Sequence, residues 1–152
     1  MLLVDSREKW TQPNSKDVHI RNYLERHQID YTVRKLDCAD YQLEGSNIVV
    51  DRKQSLSELA TNLLNRSDSA RFWREVRRAK EQGLKLIVLC EHGGKVKSIR
   101  DVAAWKSPYS HVSGRRILDE MVRLEQSYGI RWVFCDKRST AKRIIELLEG
   151  KD

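Results

Sequence analysis

The sequence predicts an α/β domain, a three-layer α/β/α sandwich around a central mixed sheet. Short apolar runs alternate with amphipathic segments from one end of the chain to the other, the pattern that wraps helices over a sheet. Leu84 to Cys90 is apolar except at Lys85, as a central strand covered on both faces should be. The length, 152 residues, suits one domain whose core needs no disulfide or metal staple.

Leu2-Leu3-Val4 reads as a strand ending in Asp5, and Pro13-Asn14-Ser15 as the start of a helix with Ile20, Leu24 and His27 inward and Tyr23 beside them. Residues 31–36 and 47–53 read as strands, the second centred on Ile48-Val49-Val50. They are the expected antiparallel pair, on the reading that only a hairpin-length loop joins them. Ser55 opens a helix with Leu56, Leu59, Ala60, Leu63 and Leu64 on one face. A third helix is expected from Asp68 or Ser69, with Phe72, Val76 and Ala79 inward. Ser98–Trp105 and Ser113–Tyr128 read as helices, Gly129 stopping the second. Residues 130–135 make a last strand, and Ser139–Leu148 a last helix before Gly150.

Charged residues form 34% of the chain and the net charge is +7, against about 25% charged residues in an average domain. The excess is confined to one half: residues 1–65 sum to −1 and residues 66–152 to +8. A basic half beside an acid-bearing half suits a protein that holds a polyanion against a carboxylate site. No window approaches the roughly 18 apolar residues of a membrane span, so a membrane partner is not expected. Cys38, Cys90 and Cys135 form no CxxC pair, and the four histidines are dispersed, which argues against zinc and for reduced thiols in a cytoplasmic or nuclear compartment.

The chemistry gathers at Asp40-Tyr41 and Asp51-Arg52-Lys53. Side chains alternate along a strand, so Asp51 and Lys53 share a face while Arg52 points away. If the chain folds back at 44–47, Asp40 comes alongside Asp51. Two close carboxylates repel, and a divalent cation between them relieves the repulsion. An ammonium group beside that ion can orient or deprotonate a water and stabilise charge on a phosphorane. The same pattern suits a surface hairpin with a salt bridge. Asp5 favours chemistry, since it too ends an apolar strand, where α/β sites collect. Arg66, Arg71, Arg74 and Arg78 crowd one helix, with Lys106, Arg115 and Arg116 farther on; such side chains contact successive phosphates without reading sequence.

Val4-Asp5-Ser6-Arg7-Glu8, Asp40-Tyr41 and Val50-Asp51-Arg52-Lys53 together resemble the nuclease domain of the XPF/MUS family of structure-specific endonucleases, within the restriction-endonuclease-like, PD-(D/E)xK class. The likeness runs on through the arginine-bearing helix and the apolar strand to Val133-Phe134-Cys135-Asp136. It implies that Asp5, Asp40 and Asp51 bind magnesium, with manganese as a substitute. Lys53 would be the catalytic lysine, Arg52 its neighbour in the site, and Arg7 a DNA contact beside it. It also implies a role in DNA repair or recombination, through cleavage of flaps, forks or junctions by metal-activated water, leaving a 5′-phosphate and a 3′-hydroxyl.

Three positions depart from the family pattern. Ala39 replaces a glycine, a change expected to be harmless; Asp51 replaces a glutamate; and the acid expected four residues after the lysine falls on Ser57, with Glu58 one place late. The chain is expected to be a single nuclease domain, with no helix-hairpin-helix or helicase portion, as in a free-standing bacterial or phage protein. Branched DNA is then expected to engage a homodimer, the basic surface, or a separate DNA-binding or helicase partner. The alternatives are an inert nuclease-like DNA-binding platform that recruits a partner, and a nuclease for structured RNA or linear duplex.

Overall fold

The computed structural model describes residues 1–108 and 111–151. Six strands form one sheet: β1 (Leu2–Asp5), β2 (Tyr31–Arg34), β3 (Tyr41–Leu43), β4 (Ile48–Lys53), β5 (Lys85–Glu91) and β6 (Arg131–Cys135). Their spatial order is β2-β1-β3-β4-β5-β6. Among the described residues five α-helices cover it: α1 (His19–Arg26), α2 (Leu56–Leu64), α3 (Arg66–Glu81), α4 (Gly114–Tyr128) and α5 (Thr140–Leu148).

The sheet is mixed. β1 and β2 run parallel, β3 runs antiparallel to both β1 and β4, and β4, β5 and β6 run parallel. Alternation along β4 divides the core into two layers. Val49 packs with Val88, Leu59, Phe72, Ile117 and Met121 under α2, α3 and α4. Val50 packs with Leu89, Ile20, Leu24, Ile144 and Leu147 under α1 and α5. The three-layer mixed-sheet architecture expected from the sequence is the one observed.

Several elements differ from expectation. The antiparallel partner of β4 is β3, with Tyr41 opposite Val50, rather than residues 31–36. Those residues form the sheet edge beside β1, because α1 makes the crossover that a parallel pair requires. Only three residues long, β3 leaves little alternation to detect. Helix α1 starts at His19 rather than near Ser15, since the Ser15 hydroxyl accepts the Asp17 N–H at 3.2 Å, a local turn that competes with helix. Helix α3 starts at Arg66 because Asn65 Oδ1 accepts the N–H groups of Ser67 and Asp68. Ile99–Ala104 is a 3-10 helix, and Gly129 closes α4 in the left-handed region, at φ 69°.

Helix α4 enters against that 3-10 helix with no room at Gly114. A Cβ there would lie 2.0 Å from the carbonyl oxygen of Val102 and 2.6 Å from that of Trp105. Both obstacles are backbone, which cannot rotate away. Gly114→Ala is therefore expected to destabilise the fold by about 3 kcal/mol or more, read as a lowered midpoint in denaturant unfolding; an unchanged midpoint would contradict this packing.

Candidate active site

The end of β4 carries the site. Asp51 and Lys53 face the α2–α3 side and Arg52 the α1 side, as alternation requires. Asp40 arrives from the turn before β3. Its N–H donates to the Val50 carbonyl at 3.0 Å, its carbonyl accepts the Asp5 N–H at 2.8 Å, and its Oδ2 accepts the Arg52 N–H at 2.8 Å. These bonds stitch Asp40 between β1 and β4 and aim its carboxyl at Asp51. The turn needs Ala39 at φ 61°, a left-handed conformation that costs a non-glycine residue about 1 kcal/mol. The alanine is therefore a strained substitution, contrary to the expectation that it is harmless.

Asp40, Asp51 and Lys53 line a cavity of about 480 Å3 with Arg7, Lys9, Arg71 and Glu75 at its walls. The carboxyl of Asp40 lies within hydrogen-bonding reach of Asp51, and burial, Asp51 and Glu8 all push its pKa well above the usual carboxylate range. Glu75, from the middle of α3, reaches the same carboxyl; burial and Asp51 push it up to about 8. Lys53 Nζ sits 3.0 Å from Asp51 Oδ2 and 5.4 Å from the centroid of Phe72. Burial alone would lower the lysine pKa, but Asp51, Glu75 and Asp40 carry it above its ordinary value. Lys53 is thus a fixed ammonium, able to donate and orient but holding its own proton.

Asp5 reaches this end of the sheet, but both its oxygens are committed. Oδ1 accepts the Leu36 N–H at 2.9 Å, and Oδ2 accepts the Arg7 N–H at 3.2 Å and Nε at 2.6 Å. Asp5 is fully buried and does not line the cavity; it anchors Arg7, whose side chain is 64% exposed at the rim. Among the described residues no three acidic, histidine or cysteine side chains form a ready-made metal cage. Of the expected trio, the cavity brings together Asp40 and Asp51. That pair fits magnesium, which commonly takes one or two carboxylates and completes its shell with water and substrate phosphates. Buried Asp51 Oδ2 also lacks a hydrogen-bond donor.

Arg52 does not enter this cavity with its guanidinium. Its side chain is wholly buried on the other face, where Nε lies 2.5 Å from Glu91, Nη1 3.3 Å from Glu8 and Nη2 3.1 Å from Asp17. The Tyr41 hydroxyl donates to Glu8 and accepts Trp10 Nε1–H, and His19 Nδ1 sits 2.6 Å from Asp17. Arg52 therefore ties the loop after β1 to the ends of β4 and β5 as a positioning residue. Glu58 lines the cavity from the start of α2, where Ser55 Oγ accepts its N–H and its Oε2 accepts the Gln54 N–H, both at 3.0 Å.

Of the basic residues singled out in the sequence, Arg7 and Arg71 line the cavity. Arg66, Arg74, Lys106, Arg115 and Arg116 are exposed elsewhere. Arg78 donates to the Asp37 carbonyl at 2.5 Å, bracing the loop that leads to Asp40. Glu8 lies beside the site as the family motif implies, whereas Glu75, Lys9, Asp17 and Glu91 belong to none of the motifs singled out in the sequence. Glu91 carried a usable signal, an acid directly after an apolar strand, as at Asp5 and Asp51. Glu75 interrupts an arginine-rich helix face, one turn from Arg71.

Arg52→Ala is expected to cost about 3–5 kcal/mol, because Glu8, Asp17 and Glu91 lose a shared buried counter-charge. The measurement is equilibrium unfolding; stability within about 1 kcal/mol of wild type would mean that the network contributes little.

The fold and site have counterparts among known proteins. The family model for the ERCC4 domain matches residues 4–148. The solved structure of XPF from Aeropyrum pernix superposes with a TM-score of 0.70 at 25% identity, covering 98% of this chain and 63% of that one. The same protein in complex with DNA gives 0.66 at 26% identity, with the same coverage. No curated protein sequence matches. The chain spans about 63% of the length of these solved relatives, with a restriction-endonuclease-like fold in common, and it belongs to the ERCC4 domain family as an XPF-type nuclease domain.

Proposed function

We propose that this chain is a divalent-metal-dependent DNA endonuclease that cuts branched or otherwise structured duplexes. The observation that carries the proposal is the convergence of Asp40, from the turn before β3, and Asp51, from β4, in a polar cavity beside the Lys53 ammonium. Family membership supports nuclease chemistry, and the DNA-bound state of the Aeropyrum relative supports a nucleic-acid substrate.

Asp40 and Asp51 would hold the ion. When bound there, it would polarise the phosphodiester and make a water nucleophilic near neutral pH. The rest is done by the chain's own side chains. Lys53, held protonated by its acidic neighbours, donates to the scissile phosphate where negative charge develops in the transition state. In the metal-free cleft Lys53 holds its proton, which favours the orienting role over the proton-abstracting one; the proton of the attacking water would then pass to solvent. Arg7, steadied by Asp5, and Arg71 and Lys9 on the opposite walls hold phosphates flanking the scissile one. Asp51, one methylene shorter than a glutamate, keeps its carboxyl deep in the cleft, 4% exposed.

Asp51→Ala or Lys53→Ala is expected to reduce strand cleavage with magnesium about 100-fold or more, with DNA affinity changed little. Flap, fork, junction, linear duplex and RNA substrates compared side by side should show the branched DNAs cut fastest. Undiminished cleavage by either variant would place the chemistry elsewhere. DNA binding with no cleavage of any substrate by wild type would favour an inert binding platform.

A further inference from the structure

Glu75 belongs to none of the motifs that define the site, yet it occupies the site's wall. It projects from α3 between Phe72 and Val76, both buried in the core, so its backbone is fixed relative to β4. Its Oε1 is buried without a hydrogen-bond donor, and among the described residues no lysine or arginine forms an ion pair with it. A residue kept for stability would have such a partner, because an uncompensated buried carboxylate is costly.

What Glu75 does reach is Asp51. Asp51 is 4% exposed, and its Oδ2 also lacks a donor: Lys53 Nζ is near enough for an ion pair but lies outside hydrogen-bond geometry. The carboxyls at positions 40, 51 and 75, together with Glu8 and Glu58, line one cavity beside the ammonium of Lys53. The nearby Arg7 guanidinium is drawn off by Asp5. Among the described residues Asp51 has one ion-pair partner, Lys53, and Glu75 has none, so two buried carboxylate oxygens in this cleft are left without a hydrogen-bond donor.

We propose that Glu75 is a positioning residue for the metal centre: acting through Asp51, it holds the cleft in a state that favours a hard divalent cation, and so sets the affinity for that ion. This rests on the metal-dependent reading above. Glu75 lines the same cavity as Asp40 and Asp51, and Asp51 is the carboxyl it interacts with. Outer carboxylates of this kind orient ligating groups and typically change metal affinity 10–100-fold when removed.

The test is Mn2+ binding to the full chain without DNA, by isothermal titration calorimetry and by the paramagnetic resonance signal of the free ion. Wild type, Glu75→Gln, Glu75→Ala and Asp51→Asn are compared. Glu75→Gln keeps shape and hydrogen-bonding capacity while removing the ability to ionise when a cation binds, and is expected to weaken Mn2+ about ten-fold. The same variant should melt close to wild type without metal and gain less on adding Mn2+. A residue that only supports packing would lower the metal-free melting temperature and leave the gain on adding Mn2+ unchanged. Cleavage by Glu75→Gln should recover as magnesium is raised. Mn2+ affinity equal to wild type in Glu75→Gln overturns the proposal even if cleavage falls. Failure of wild type to bind Mn2+ overturns the metal reading itself and this inference with it.

Discussion

Three consecutive charged side chains end the buried strand β4, and the pleat of the sheet sends them to different places. Asp51 and Lys53 go into an open cleft; Arg52 goes into the interior between β4, β5 and α1. The site depends on both outcomes together. An arginine buried on one face is tolerable because Glu8, Asp17 and Glu91 surround it. Those three acids come from the loop after β1, the approach to α1 and the end of β5. The network thus fixes the positions from which the opposite face presents Asp40, Asp51 and Lys53. A shift of register by one residue would exchange the faces and abolish both arrangements.

The cleft is electrostatically unfavourable in the free protein and stays assembled because the backbone leaves it no alternative. Asp40 is held by three hydrogen bonds around its peptide and carboxyl, and the left-handed turn at Ala39 adds strain to the same segment. Glu75 is carried in by a helix whose neighbouring residues are core. Crowded carboxyls of this kind, with pKa values displaced upward, recur where a protein is arranged for a bound charge rather than for its own stability.

Most of the architecture was legible in the sequence because it rests on periodicity. The apolar face of α2, the unbroken run of β5 and the alternation of β4 each spell out one element. β3 was not legible, since three residues between a turn and a charged loop leave no period to read, and missing it assigned the wrong partner to β4. The pairing of Asp40 with Asp51, and the turning away of Arg52, followed from strand geometry alone. The diversion of Asp5 did not: its carboxyl is claimed by the Leu36 amide and by Arg7, contacts that arise only when β1 and β2 lie side by side. Glu75 was hidden for a related reason, because a helix face rich in arginine gives no sign of which member turns toward the sheet.

The central claim, that Asp40 and Asp51 form the cation site, is tested most directly by anomalous diffraction from crystals soaked in Mn2+. A single strong anomalous peak bridging the carboxyls of Asp40 and Asp51 is expected, with Asp5 still bound to Arg7. A peak at Asp5, or within the Glu8–Asp17–Glu91 cluster, with none between Asp40 and Asp51, would contradict it.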